Sequence, residues 1–463
     1  MRSFTLGVLC LGLSVASSTW AQSCLPTATV TSNTGSQQTS KDTTLGCVVR
    51  NLYGVNGLVL PNPNHSAHFT NESQANLTPL NAALGTQLTL LPLVSPASGY
   101  TFTLDPATNV YTRSSQSFGP ILGERAETIG RGKVFFGFTF QHYSFDKIDN
   151  FDVHNFPVVF GHGPFGGPGF DFEFEKDAIT SNNNIDLKIN QSTIFATVGI
   201  TNRLDVSVAI PIVNASVTAT STASIFRVAA ADVNGVGADP TTGQFHYFDQ
   251  ANPNGSTTKT FVNSSSASGI GDVIIRAKGT LWKNDKTGVA LGMDFRMPTG
   301  DERNFLGSGA AGFKPFFVAS TRWGKASPHL NIGYQWNGDS VLAGDIDKNT
   351  KASLPDQFFW TLGADVGVHS RVTLAFDVLG QRTMDAPRLV QGTFTTPAGA
   401  LKPATTFTEI VKATESFSII NGSAGVKVNL GKNLLATFNG LFRMNNGGLR
   451  DNFSPLFGLS YTF

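Results

Sequence analysis

Charge is scarce in this chain of 463 residues. Asp, Glu, Lys and Arg supply 14% of it, against about 25% in an ordinary soluble domain. The 33 basic and 32 acidic residues nearly cancel, leaving a net charge of +1 and no basic stripe, which excludes nucleic acid as a partner. Long apolar runs are missing too. After residue 21 nothing approaches the roughly 18 consecutive apolar residues of a membrane-spanning helix, so helical spans are excluded. Cysteine is reduced to Cys10, Cys24 and Cys47, at a spacing that matches no zinc pattern.

The first 21 residues have the make-up of a secretory signal: Arg2, an apolar run from Phe4 to Ala16, and a cleavage point after Ala21. Export places Cys24 and Cys47 where thiols oxidise, and an intramolecular disulfide between them is expected. It would close a Ser/Thr-rich loop with little core of its own and stabilise it by roughly 3 kcal/mol.

Glycine (48) and phenylalanine (37) are abundant. Residues 22–131 are polar, with a helix-like stretch from Pro79 to Leu88 and a hairpin-like one from Tyr100 to Arg113. They are expected to form a small N-terminal domain, either periplasmic or folded as a plug into the C-terminal part of the chain. Residues 132–463 change to period two, the mark of strands whose two faces meet different surroundings. Val289, Leu291, Met293, Phe295 and Met297 alternate with Ala290, Gly292, Asp294 and Arg296.

Strands are expected near 133–145, 182–200, 204–217, 268–283, 288–299, 313–323, 328–338, 356–369, 371–383, 414–430, 434–444 and 453–463. The connections between them alternate between short and long. Sandwich topologies have no reason to sort loop lengths in this way, whereas an even-stranded outer-membrane barrel does. The fold expected is therefore all-β, a transmembrane antiparallel β-barrel of about 12 strands with a small N-terminal domain or plug, located in the bacterial outer membrane. Phe453, Pro455, Phe457, Leu459, Tyr461 and Phe463 share one face of the last strand, a pattern similar to the signal read by the barrel assembly machinery. That machinery, outer-membrane lipid and small-molecule solutes are the expected partners.

The stretch Glu124-Arg125-Ala126-Glu127-Thr128-Ile129-Gly130-Arg131-Gly132-Lys133 precedes an aromatic strand from Val134 to Phe140. It resembles the outer-membrane proteins named for a meta-pathway of phenol degradation. Ser268-Gly269-Ile270-Gly271-Asp272-Val273 and Met297-Pro298-Thr299-Gly300-Asp301 resemble two further stretches of that group, over residues 95 to 463. The resemblance implies a transporter-like barrel, sometimes encoded beside aromatic-degradation enzymes, that admits hydrophobic or aromatic compounds. It supplies no catalytic residue.

With the apolar face outward, the lumen side carries Asp205, Asp272, Arg276, Lys278, Asp294, Arg296, Lys314, Arg322, Asp365, Asp377, Lys427 and Arg443. Charges of both signs on neighbouring strands either set a transverse field across a water-filled pore or pair and fill the interior. His142 and Ser144 invite comparison with outer-membrane phospholipases, which use a His and a Ser two residues apart, but no orienting Asn or Asp is evident. A polar strand end beside an aromatic girdle of Phe140, Tyr143 and Phe145 is the favoured account. Gly161-His162-Gly163-Pro164-Phe165-Gly166 fits a dinucleotide-binding string without the strand–helix setting it needs, and a loop over the pore mouth explains it better. Asp146, Asp149 and Asp152, and also Asp345 and Asp347, are expected to be solvated loop charges, since neither spacing makes an EF-hand. No cofactor, no metal and no catalysis are expected. The function expected is a channel or transporter for small solutes, hydrophobic or aromatic ones among them; the alternatives are a lipid hydrolase and a structural or adhesive barrel.

Overall fold

A strand with apolar residues on one face and polar ones on the other needs two surroundings, and a closed barrel provides them. The computed structural model forms such a barrel. It describes residue 24 and residues 29–31, 37–39, 44–88, 91, 102–105, 110–113, 117–163, 172–346, 348–431 and 433–463. The expected signal at residues 1–21 lies outside the described residues, as does Asp347.

The wall has twelve antiparallel strands. They are β1 (Val134–Ile148), β2 (Ala178–Thr201), β3 (Leu204–Phe226), β4 (Thr258–Ile270 and Ile274–Lys283, interrupted at 271–273), β5 (Thr287–Arg296) and β6 (Gly312–Thr321). The second half comprises β7 (Ala326–Asn337), β8 (Gln357–His369), β9 (Val372–Thr396), β10 (Thr405–Gly431), β11 (Leu434–Arg443) and β12 (Phe453–Thr462). Each pairs with its chain neighbour, and β12 closes the barrel on β1, from Leu456 against Gln141 to Thr462 against Phe135. Short turns at 202–203, 284–286, 322–325 and 370–371 lie at one end, and the long connections leave from the other. One of the tightest follows β6, where Trp323 and Ala326 bridge across Gly324, whose φ of 60° is costless only without a Cβ.

Outward from the membrane-height part of the wall point Phe136, Phe138, Val198, Val206, Leu291, Phe295, Phe317, Leu362, Phe376, Phe438, Phe457 and Leu459, all exposed. A continuous apolar belt around a barrel whose inner face is polar suits the hydrocarbon of a bilayer and no aqueous compartment. The chain is thus an outer-membrane barrel.

Several strands extend well beyond what a membrane needs. β2, β3, β9 and β10 have 24, 23, 25 and 27 residues, where about 9–11 cross a bilayer. The connection expected at 384–413 accordingly shrinks to 397–404, because both flanking strands continue past a bulge at Thr383/Ala386. On these arms the pattern inverts. Asn182, Asn184 and Lys188 of β2 are exposed on the outside, while Ile179, Ile185, Leu187 and Ile189 are buried within. The expectation that apolar residues face outward holds only at membrane height, because above it the outside is water.

The inner apolar face is covered by residues 44–88. Leu45, Val48, Val49, Leu52, Leu58 and Leu60 share one core with Ile185, Leu187, Val217 and Ala219. The Tyr53 hydroxyl lies 2.6 Å from the Ser221 hydroxyl on β3, and Asn263 of β4 donates to the Val48 carbonyl at 2.9 Å. A helix, α1 (Thr70–Leu88), begins nine residues before the stretch read from Pro79. Leu80, Ala83, Leu84 and Leu88 bury its stripe, so tertiary packing carries the helix through a proline that would ordinarily mark its first turn. Cys24 and Cys47 are joined by a disulfide, with Cα atoms 5.4 Å apart. Phe102–Asp105 pairs with Val110–Arg113 as the hairpin expected between Tyr100 and Arg113.

Candidate functional site in the lumen

Strand pleating alone turns every second side chain inward. Ten of the twelve charges singled out in the sequence lie at inward positions of wall strands, Asp272 lies in the break in β4 and Arg322 in the turn after β6, and several are met by one piece of backbone. Residues 117–131 run through the short-turn half of the lumen as an irregular strip, buried for most of its length. Glu124 accepts hydrogen bonds from Arg276 and from Lys278, the latter at 2.9 Å. Arg276 also clasps Asp294 at 2.5 and 2.7 Å, and Lys314 reaches Asp294 at 3.0 Å. Arg125 forms a fork on Asp365 and donates to the Ser117 hydroxyl.

Further along, the Ile129 amide donates to Asp205 at 2.9 Å and the Lys427 ammonium donates to the Pro120 carbonyl at 2.6 Å. Arg322 stands 3.9 Å from Glu127. His329 on β7 meets Asp377 on β9 at 2.7 Å, with both side chains fully buried. Arg296 faces Asp272 at 3.6 Å and donates to Asn337 at 2.8 Å. Arg443 lies at the long-loop end, near Arg450. Of the twelve, eight stand opposite a charge of the other sign, Asp377 meets His329, Asp205 and Lys427 are held by backbone groups, and Arg443 stands beside Arg450.

The strip explains the motif at 124–133. Most of its polar residues meet wall residues far away in sequence, and Gly199 on β2 packs so closely on Gly130 that a side chain there would overlap the Gly130 carbonyl. The other two motif stretches clasp each other. Thr299 Oγ1 donates to the Gly271 carbonyl at 2.7 Å, and the Gly300 amide donates to Asp272 at 3.1 Å. Sequence reasoning missed Glu124, Arg125 and the Phe118 amide as wall partners, because the groups they meet on Arg276, Asp365 and Thr373 lie 152, 240 and 255 residues away and no local pattern signals such pairs.

Between the strip and the end of α1 lies a cavity of about 250 Å³. Tyr143, Phe145, Phe316, Phe359, Leu379 and Leu441 supply its apolar wall; Arg276, Asp294, Lys314, Gln335, Gln357 and Gln381 supply the polar part. Gln87 and Leu91 close it on one side, Leu122 and Glu124 on the other. Tyr143 and Phe145 therefore do not belong to an outer girdle. They point inward, are 2% exposed and stack at 5.9 Å, because odd positions of β1 face the lumen.

His142 and Ser144 are on the outer face of β1. Asn190 Oδ1 of β2 accepts from His142 Nδ1 at 2.7 Å, a partner the sequence did not place. Among the described residues no hydrogen bond joins the Ser144 hydroxyl to His142. The acidic loop residues are not simply solvated. Asp149 is buried, pairs with Arg388 at 3.1 Å and accepts the Gly448 and Leu389 amides; Asp146 accepts the Asn452 amide. Asp345 pairs with Lys348 at 3.2 Å.

Residues 158–407 match the family model described as "Putative MetA-pathway of phenol degradation". The match takes in the 268–273 and 297–301 stretches and leaves out 124–140. No curated protein matches the sequence. Among solved structures, an outer membrane channel from Pseudomonas putida F1 aligns with a TM-score of 0.43 and 12% identity over 74% of this chain and 99% of that one. The Ralstonia pickettii toluene transporter TbuX aligns at 0.31 and 11%, over 72% and 90%. A Pseudomonas aeruginosa FadL homologue aligns at 0.28 and 10%, over 79% and 96%. With more than half of its residues inside that family model, this outer-membrane barrel belongs to the phenol-degradation MetA-pathway family.

Proposed function

We propose that the protein is an outer-membrane channel for small solutes with an apolar or aromatic body, held closed at rest by its own N-terminal residues. The observation that carries this reading is the central cavity. Its volume of about 250 Å³ exceeds the roughly 150 Å³ in which an engineered apolar cavity takes up benzene. Phe316, Phe359 and the stacked pair Tyr143 and Phe145 offer ring contacts, and Gln335, Gln357 and Gln381 offer donors and acceptors to a hydroxyl. In this reading residues 22–131 are a plug: 44–88 form its cap and 117–131 its floor.

The floor is held by ion pairs and hydrogen bonds together with Phe118, Ile121, Leu122 and Ala126, which pack against the wall. Water can replace the polar contacts at a net cost of about 1 kcal/mol for a neutral hydrogen bond and about 1.5–3 kcal/mol for one to a charged group, so in this reading the strip yields before the wall does. Solute flux into vesicles carrying the folded full chain tests this. Single-ring aromatic solutes should enter faster than sugars. A folded barrel that passes neither would favour a structural or adhesive role.

The contact between His142 and Asn190 keeps a second reading open, an outer-membrane lipid hydrolase with Ser144 as nucleophile. Phospholipid hydrolysis that disappears in Ser144→Ala would support it. Absence of hydrolysis in the folded wild type would end it.

A further inference from the structure

The eight histidines, His65, His68, His142, His154, His162, His246, His329 and His369, follow no ligand spacing in the sequence. Four of them nevertheless converge. His65 and His68 lie just before α1, His162 follows an edge strand (Phe156–Gly161) paired to β2, and His246 sits in the 227–257 connection. One ring nitrogen from each lies within 4.8 Å of the other three. His68 Nδ1 is 3.2 Å from His65 Nδ1 and 2.6 Å from His162 Nε2.

The outward-facing nitrogens decide which way the lone pairs point. His162 Nδ1 donates to the Gly163 carbonyl at 2.6 Å, and His246 Nδ1 donates to Asp177 at 2.8 Å. His65 hydrogen-bonds the Val236 backbone on the side of its ring that meets Gly237. A neutral imidazole has one N–H. Those three rings have used theirs outward and turn bare nitrogens toward a common centre. His68 can donate to only one of them. His246 Nε2 is fully buried and has no hydrogen-bond partner among the described residues.

Two carboxylates stand behind the rings. Asp177 is itself fixed by the Val228 and Ala229 amides at 2.7 and 3.0 Å, which makes it an orienting carboxylate behind His246. Glu175 lies close enough to His68 to act on it electrostatically, so two carboxylates stand ready to offset a double positive charge. Phe69, Phe174 and Phe245 pack around the rings, which leaves His68 half-buried and the other three histidines buried.

We propose that His65, His68, His162 and His246 form a site for one borderline transition-metal dication, Zn²⁺ foremost, that ties the N-terminal domain to two long extracellular connections. Four imidazoles without thiolate or several carboxylates suit Zn²⁺, Cu²⁺ or Ni²⁺ and not Ca²⁺ or Mg²⁺. A tetrahedral centre with Zn–N of about 2.0–2.1 Å sets its ligand atoms roughly 3.3 Å apart. The present ring nitrogens lie between 2.6 and 4.8 Å apart, on both sides of that spacing.

The experiment uses the untagged full chain in detergent, stripped with EDTA and titrated with Zn²⁺ alone, with folding followed by the heat-dependent shift on SDS gels. One equivalent should bind. His68→Ala/His162→Ala should weaken binding at least 100-fold while the heat shift persists, and Asp177→Asn should weaken it by about 10–100-fold, as orienting groups behind ligands do. Co²⁺ in place of Zn²⁺ should give the intense visible absorption of four-coordinate cobalt. Failure of folded wild-type protein to bind one equivalent would overturn the proposal, as would stoichiometric binding that survives the double substitution. Should the alanine variant fail to fold, His162→Gln, which keeps much of the side-chain volume, takes its place with the same two readings. None of these outcomes depends on solute flux, so the test stands apart from the channel reading.

Discussion

Among individual residues, the pair of Arg125 and Asp365 shows how much a single buried charge can matter. Asp365 is 0% exposed and Arg125 is 5% exposed. Removing the guanidinium in Arg125→Ala leaves the Asp365 carboxylate without its hydrogen-bonded counter-ion, with only the Lys427 charge nearby, and costs up to about 3–5 kcal/mol. Replacing both partners in Arg125→Met/Asp365→Leu should restore most of that loss, since paired charges in a dry interior add little over apolar residues of similar size. Unfolding in detergent, followed by the temperature of the gel shift, measures both. Equal stability of the single and double variants would contradict the ion-pair assignment.

Arg296 lends itself to a similar argument. It faces Asp272, which also holds the Gly300 and Ser308 amides where two motif stretches meet. Arg296→Glu would put two carboxylates side by side in a site that is 9% exposed at Arg296 and 8% at Asp272. The expected result is a less stable barrel rather than a folded one with altered ion selectivity. An unchanged unfolding temperature would show that Arg296 is hydrated and loosely held.

Among the elements, the strip at 117–131 is the piece whose position decides whether the lumen is closed. Ala126 lies against Gly288 on β5, its Cβ 3.1 Å from where a Cβ at residue 288 would stand. Cysteines at these two positions need only a slight parting to reach the Cβ separation of about 3.8 Å usual in disulfides. In the channel reading, oxidised Ala126→Cys/Gly288→Cys should block solute flux, and reduction should restore it. Wild-type protein under the same reductant controls for the native bond between Cys24 and Cys47. Undiminished flux through the oxidised variant would mean that solutes bypass the strip.

In the whole molecule, the barrel and its extended arms divide the protein between lipid and water. Long connections leave from the ends of β1, β3, β5, β7, β9 and β11, and the short turns lie at the opposite end. A tag at Asn254, in the 227–257 connection, should label on intact cells, whereas a tag at Asp285, in a three-residue turn, should label only after the outer membrane is breached. Reversed labelling would invert the barrel in the membrane and move the four-histidine cluster to the other side.

Much of this architecture could be read from the chain alone. Lipid and water act on adjacent residues of a strand, so β5, with Leu291, Met293 and Phe295 out and Asp294 and Arg296 in, carries its environment in its own sequence. Strand number, loop alternation and the inward placement of the lumen charges follow from that local imprint. The arms of β2 and β3 misled because their burial depends on which solvent surrounds them and on residues 44–88 covering their inner face. Period two records that two environments differ, not which is which. The pairing of Arg125 with Asp365 and the meeting of His65, His68, His162 and His246 belong to the tertiary structure alone. Each depends on barrel closure and on a chain segment threading its interior, and sequence spacing carries no trace of such contacts.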